Sequence, residues 1–269
     1  MTETANTAPH SKKTIPAVQK HPFTSTQKDI RLNKFLSEMG FCSRREADRL
    51  IESGMVFVDG RAALTGEKVC AHQKIICSGV EVGAEKNKPE PVWLVVNKPR
   101  GIVCTTSDKD RAENIIDFIG YPQRVFPVGR LDKDSEGLLL LTNEGRLVNP
   151  MMRSANAHEK EYQVKIDRPV TKEFLKAMAR GVEIAELNTR TRPCKLWATG
   201  KDRFQIILTQ GLNRQIRRMC EALGCNVLEL KRIRIMNIHL GTLKTGSWRK
   251  MTADEYQEML SLLRIKTDR

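Results

Sequence analysis

The sequence predicts an α+β protein in two folded parts. Segments rich in strand formers are interspersed with amphipathic helices, without the regular strand–helix–strand rhythm of a parallel sheet. The composition changes character near residue 30 and again between Gly83 and Pro91, so a basic tail, a small unit, a linker and a larger unit follow one another. There is no short internal repeat, no phosphate loop and no dinucleotide fingerprint.

Residues 1–28 are rich in Thr, Ser, Pro, Lys and Gln and predict a disordered basic tail. They lack the Arg-rich amphipathic pattern of a transit peptide and the apolar core of a signal sequence. Leu32, Phe35, Leu36 and Met39 then fall on one helical face, with Gly40 as the stop. Ser43-Arg-Arg-Glu46 reads as a capping box opening a second helix, whose apolar stripe of Ala47, Leu50 and Ile51 runs to Gly54. Val56 and Val58 alternate into Asp59-Gly60, a hairpin signal. Residues 29–82 are expected to form this first unit and 83–91 the linker.

Strands are predicted beyond the linker at Val92–Asn97, Gly101–Thr106, Val125–Val128, Leu138–Thr142, Tyr162–Ile166, Lys195–Ala198, Phe204–Thr209 and Leu228–Ile235. A helix capped by Thr171 is expected to end at Gly181, burying Phe174, Leu175 and Met178. A second should bury Ile216, Met219, Cys220 and Leu223 and stop at Gly224. A third opens with the capping box Thr252-Ala-Asp-Glu255. Pro150 interrupts an otherwise helical stretch near Arg146–Arg153, where a kink or an early end is expected. Residues 92–265 should make up the larger unit.

The net charge of +14 points to a polyanion, with nucleic acid the first candidate. Residues 1–28 contribute +3, residues 29–80 only +1, and the remainder +10, so the footprint lies mainly on the C-terminal part. The seven cysteines are scattered, with no Cys-x-x-Cys and no His cluster, which argues against a zinc site and for reduced, buried thiols. No stretch approaches 18 apolar residues. A soluble cytoplasmic protein is expected.

Gly129-Arg-Leu-Asp132 followed at once by the Leu138–Leu141 run places a carboxylate at the lip of a buried strand. This string resembles the catalytic motif of the pseudouridine synthases, and Lys160-Glu-Tyr162 and Gly211–Met219 are similar to that family's second and third motifs. Residues 30–79, with Ser-Arg-Arg-Glu-Ala, resemble an S4 RNA-binding domain. The resemblance covers residues 30 to 262 and implies a mixed, largely antiparallel sheet with flanking helices. Within the family the motifs resemble most the large-subunit ribosomal RNA pseudouridine synthase F group. The implied substrate is a uridine in 23S rRNA, with a tRNA anticodon-loop uridine as a second candidate.

By this resemblance Asp132 is the catalytic carboxylate, Tyr162 lies beneath the target uracil and Arg217 pairs with Asp132. Arg130 fills the gap left by the flipped nucleotide or touches its neighbours, and Lys160 helps seat the site or touches phosphate. Arg214 and Arg218, with Lys231, Arg232 and Arg234, are expected at phosphates. So are Arg44 and Arg45 in the first turn of the second helix, and Arg31 and Lys34 on the first. No cofactor, metal or membrane is implied, and the chain is expected to act as a monomer. Asp132-Lys-Asp134 could be read as a metal motif, but no further carboxylate or His cluster completes it. A glycosidase would want two carboxylates and aromatic platforms, yet aromatics are only 5%. The other reading is a non-catalytic RNA-binding or ribosome-assembly protein of this fold. The presence together of Asp132, Tyr162 and Arg217 speaks against it.

Overall fold

The computed structural model describes residues 29–70, 72–83, 90–105 and 113–265. The expected tail and most of the expected linker lie outside the described residues. In the first unit, α1 (Leu32–Glu38) and α2 (Arg44–Glu52) bury Leu32, Phe35, Leu36, Ala47 and Ile51, as the helical spacing requires. Ser43 Oγ accepts from Glu46 N–H at 3.1 Å, the first half of the expected capping box. The reciprocal half is not made: the Glu46 carboxylate turns instead to Arg49, one turn along. β1 (Val56–Val58) and β2 (Arg61–Ala62) form the expected hairpin, with Asp59 and Gly60 both at positive φ (51° and 83°). β3 (Ile75–Cys77) and β4 (Val80–Val82) complete a sheet of order β2-β1-β3-β4.

The second unit is built on β5 (Trp93–Lys98), α3 (Ile115–Ile119), β6 (Phe126–Val128), β7 (Glu136–Thr142), α4 (Gly145–Met152), β8 (Lys160–Ile166), α5 (Lys172–Ala179), β9 (Lys195–Ala198), β10 (Arg203–Leu208), α6 (Gln215–Ala222), β11 (Val227–Ile235), β12 (Trp248–Lys250) and α7 (Ala253–Leu262). The sheet runs β9-β10-β8-β11-β7-β5-β12, with β6 also beside β7. Its pairings are antiparallel except β11 with β7, which is parallel through Lys231↔Glu136 and Arg232↔Gly137. This is the mixed, largely antiparallel sheet that was expected.

Burial explains the two strand patterns in the sequence. Leu138 and Leu140 pack with Trp93, Val95, Leu147 of α4 and Met259 of α7. Leu139 and Leu141 pack with Leu94, Val96 and Ile115 of α3 on the other face. Covered on both sides, these strands need no polar alternation. β8 alternates because Tyr162, Val164 and Ile166 meet the cluster of α5 and α6, while Gln163 between them is exposed.

Two elements differ from expectation, and the early helix end expected at Pro150 is found. Of the expected strand Gly101–Thr106, residues 101–105 are not a strand and Thr106 lies outside the described residues: Val103 makes one isolated bridge to Asn114, and Gly101 N–H is committed to Lys133 O at 2.9 Å. That segment is a loop over the end of the sheet. α3 is short and its apolar residues run without clear periodicity; Asn114 caps it by accepting from Ile116 and Asp117 N–H. Pro150 sits inside α4, which ends two residues later at Met152, consistent with its missing donor.

Candidate active site

The chain leaves β6 through Gly129 (φ 73°) and turns over the end of the sheet. Leu131 is buried as an anchor, and its N–H points at Cys104 Sγ, 3.4 Å away. Asp132 O accepts from Ser135 N–H at 3.0 Å, closing a tight turn with the carboxylate at its start. Lys98, fully buried at the end of β5, grips this turn from below by donating to Ser135 O and Pro99 O, each at 2.8 Å. Burial pulls the Lys98 ammonium below its ordinary pKa, while Cys104, Asp132, Asp134 and Glu136 act the other way. Sequence reading missed this lysine; its signal was a charge two residues beyond the apolar run Val92–Val96.

Asp132 borders a cavity of about 540 Å³. Tyr162 and Lys160 of β8, Leu208 of β10, Ile216 of α6, and Leu230 and Arg232 of β11 also line it. So do Arg130, Lys133 and Arg214. The three motif segments, far apart in the chain, therefore meet at one opening. Lys160 is 5% exposed and its ammonium is held at lowered pKa by burial, with Arg232 adding repulsion.

The expected Asp132–Arg217 pair is not formed. Arg217 Nη2 donates to Asp134 O at 3.2 Å and Nη1 to Val227 O at 3.2 Å, so its guanidinium ties the turn to β11 through backbone carbonyls. The cation at the carboxylate is Arg214, with Nη1 3.9 Å from Asp132 Oδ2 and 3.7 Å from Asp134 Oδ2. Arg214 reaches them because it sits at φ 51° just before α6, which turns its side chain back toward the loop. The expected phosphate role of Arg232 also fails on burial: it is 2% exposed and lines the cavity. Arg234 is engaged by Glu159 at 2.9 Å and Glu161 at 2.6 Å.

Residues 92–222 match the family model described as RNA pseudouridylate synthase, and residues 30–75 match the S4 domain. The chain is 48% identical over 234 residues to the dual-specificity RNA pseudouridine synthase RluF of Escherichia coli (strain K12), covering 87% of this chain and 79% of that protein. It is 36% identical over 238 residues to the ribosomal large subunit pseudouridine synthase B of Bacillus subtilis (strain 168), covering 86% and 96%. The chain belongs to the RNA pseudouridine synthase family. A crystal structure of a pseudouridylate synthase superposes with a TM-score of 0.63 at 27% identity, covering 86% of this chain and 99% of that one.

The remaining predicted residues of this synthase fall into two groups. Arg130 is exposed at the mouth of the cavity. Arg218 is turned away from the mouth, donating to Glu186 at 2.9 Å and to Asn213 at 3.4 Å. In the S4 domain Arg44 and Arg45 are exposed on the first turn of α2. Arg31 is exposed too, but it lies in a two-residue strand paired with Lys68, not on the first helix. Lys34 is on α1 and pairs with Glu38 at 3.5 Å. No described helix is long and apolar enough to cross a membrane.

Proposed function

We propose that this synthase isomerises a uridine of 23S rRNA with Asp132 as its catalytic carboxylate and without a cofactor. The observation that carries this is the place of Asp132: a partly exposed carboxylate at a cavity that Tyr162 also lines, beside Arg214. The reaction breaks N1–C1′, turns the base over and rejoins it through C5, after which the C5 proton leaves and N1 is protonated. A carboxylate serves the first step by stabilising the electron-poor C1′ or by bonding to it. Tyr162 offers a face for an extruded base, and Lys160 lies two residues earlier on the same strand face. Arg130, Lys133 and Arg214 are cations at the mouth, suited to the flanking phosphates.

Relatives named dual-specificity support a second RNA substrate, for which the motif resemblance points to a tRNA anticodon-loop uridine. We place the S4 unit at 29–82 and the catalytic unit at 92–265, with exposed Arg31, Arg44 and Arg45 as RNA contacts and the cytoplasm as the working compartment. The test is tritium release from a 23S transcript carrying [5-³H]uridine. Wild type should release tritium, and Asp132→Asn should release none while retaining its fold and its filter-binding affinity. Turnover of Asp132→Asn within about tenfold of wild type would remove Asp132 from the chemistry.

A further inference from the structure

Arg232 lies in a strand whose neighbouring cations, Lys231 and Arg234, face away from the cavity, and three backbone features hold it there. β11 carries an extra residue at Ile233, so that Glu161 pairs with Arg234 while Tyr162 pairs with Arg232. Such a bulge re-aims side chains. Here Arg232 shares the face of Tyr162 and Leu230, whereas Arg234 shares the opposite face with Glu161. Gly137 provides the second feature. A Cβ on it would lie 2.3 Å from Arg232 O and 2.8 Å from Arg232 N, so only glycine lets β7 approach β11 at this point. Third, Arg232 Nε donates to Leu138 O at 2.7 Å and Nη1 to Arg130 O at 3.4 Å, bracketing the loop that bears Asp132.

One nitrogen is left over. Among the described residues Arg232 Nη2 is buried without a hydrogen-bond partner, as are Arg217 Nε and Arg218 Nε, but of the three only Arg232 lines the cavity. A buried guanidinium N–H without an acceptor is unfavourable, and native proteins retain few of them outside sites where a ligand completes the bond. We propose that the target uracil completes it: Arg232 Nη2 donates to a ring carbonyl oxygen of the extruded base, which makes Arg232 a specificity-determining residue. The acceptor is the base and not a phosphate because Arg232 sits among Leu208, Ile216, Leu230 and Tyr162, a lining that suits a flat ring. The exposed cations Arg130 and Lys133 at the mouth serve phosphate better. A donor held in this way favours uracil over a base that presents an amino group at the same position. The inference rests on the reading that the Asp132 cavity takes the uridine.

The test uses full-length 23S transcripts labelled with tritium at C5 and made with uridine, 2-thiouridine or 4-thiouridine. Sulfur is a poor acceptor, so replacing the contacted oxygen should slow single-turnover release by wild type by about tenfold relative to replacing the other. Arg232→Lys and Arg232→Met should be slow on the uridine transcript yet lose that sulfur discrimination, to within about twofold. A purely structural role would slow release from all three transcripts equally. If both variants fail to fold, the wild-type comparison alone decides. Equal wild-type rates on the two thio transcripts would overturn the contact, as would undiminished discrimination in a folded variant. No release by wild type from the uridine transcript would instead overturn the reading of the site, and this inference with it.

Discussion

Arg214 Nη1 stands 3.9 Å from Asp132 Oδ2, whereas Arg217, in the first turn of the helix that follows Arg214, gives its guanidinium to the carbonyls of Asp134 and Val227. The two arginines divide the work that a single ion pair was expected to do. Asp132 keeps 34% of its side chain exposed, so water still solvates it and a buried counter-ion is not required. Arg217 is 8% exposed and acts as scaffold for the turn that presents the carboxylate.

Arg217→Met should therefore remove the donor to the Asp134 carbonyl of the turn and to the Val227 carbonyl of β11, and lower unfolding stability by about 1–3 kcal/mol. Because Arg217 does not touch the Asp132 carboxylate, a double-mutant cycle with Asp132→Asn in urea should be additive within about 0.5 kcal/mol. Arg214→Met should behave differently. Its pair is 40% and 34% exposed, so stability should change by no more than about 1 kcal/mol. Single-turnover tritium release should nonetheless fall by about tenfold, because the field at the carboxylate is removed. Strong coupling between Asp132 and Arg217 in the cycle would restore the direct pair.

The contrast shows what the residues disclose in one dimension. The motif Gly129–Thr142, the strand Lys160–Ile166 and the helix of Gln215–Ala222 were legible, because apolar periodicity and caps are local properties. So was the meeting of Asp132 with Tyr162, through family resemblance. Which of Arg214 and Arg217 reaches the carboxylate was not legible, because it turns on the left-handed backbone at Arg214. The burial of Arg232 was hidden for a similar reason: the bulge at Ile233 shifts the strand's parity, and no alternation pattern shows it. Lys98 lies just past the predicted strand Val92–Asn97, and only the fold reveals that its ammonium donates to Ser135 O.

Gly137→Ala tests the close approach of β7 and β11. Gly137 has φ 103°, a region that costs an L-residue about 1–3 kcal/mol, and its Cβ would meet backbone and not a yielding side chain. The variant should lose at least that much stability in calorimetric or urea unfolding. It should also lose more activity than stability explains, since the displaced strand carries Arg232. A variant that unfolds with the wild-type midpoint would mean the strands part at no cost.

Arg44 and Arg45 are exposed at the start of α2, where the S4 domain would meet a phosphate backbone. Replacing both with alanine should weaken RNA binding and flatten the plot of log affinity against log salt by about 0.7–0.9 for each phosphate no longer neutralised. The single-turnover rate at saturating RNA should stay at the wild-type value, because the cavity is lined by the other unit. An unchanged salt slope would mean that these arginines are merely solvated.

The last prediction concerns acid stability and the edge of the sheet. Glu255 lies in the capping box of α7, where its carboxylate accepts from Thr252 N–H at 2.9 Å and from both Arg249 nitrogens of β12 at 2.6 and 2.7 Å. Burial alone would raise its pKa, but the bonds from Arg249 and Thr252 outweigh it and hold the carboxyl below the ordinary value of 4.5. The sign follows from linkage. A carboxyl with a lower pKa in the folded than in the unfolded chain binds fewer protons when folded, so its contribution is complete above the unfolded value and is lost as pH falls through the folded one. Glu255→Gln should thus cost on the order of 1 kcal/mol between pH 6 and 8. The gap to wild type should shrink steadily below about pH 4.5 as the native carboxylate takes up its proton. Urea unfolding across that range measures it. A gap that stays constant down to pH 3 would show that Glu255 contributes through packing and its cap, and not through its charge.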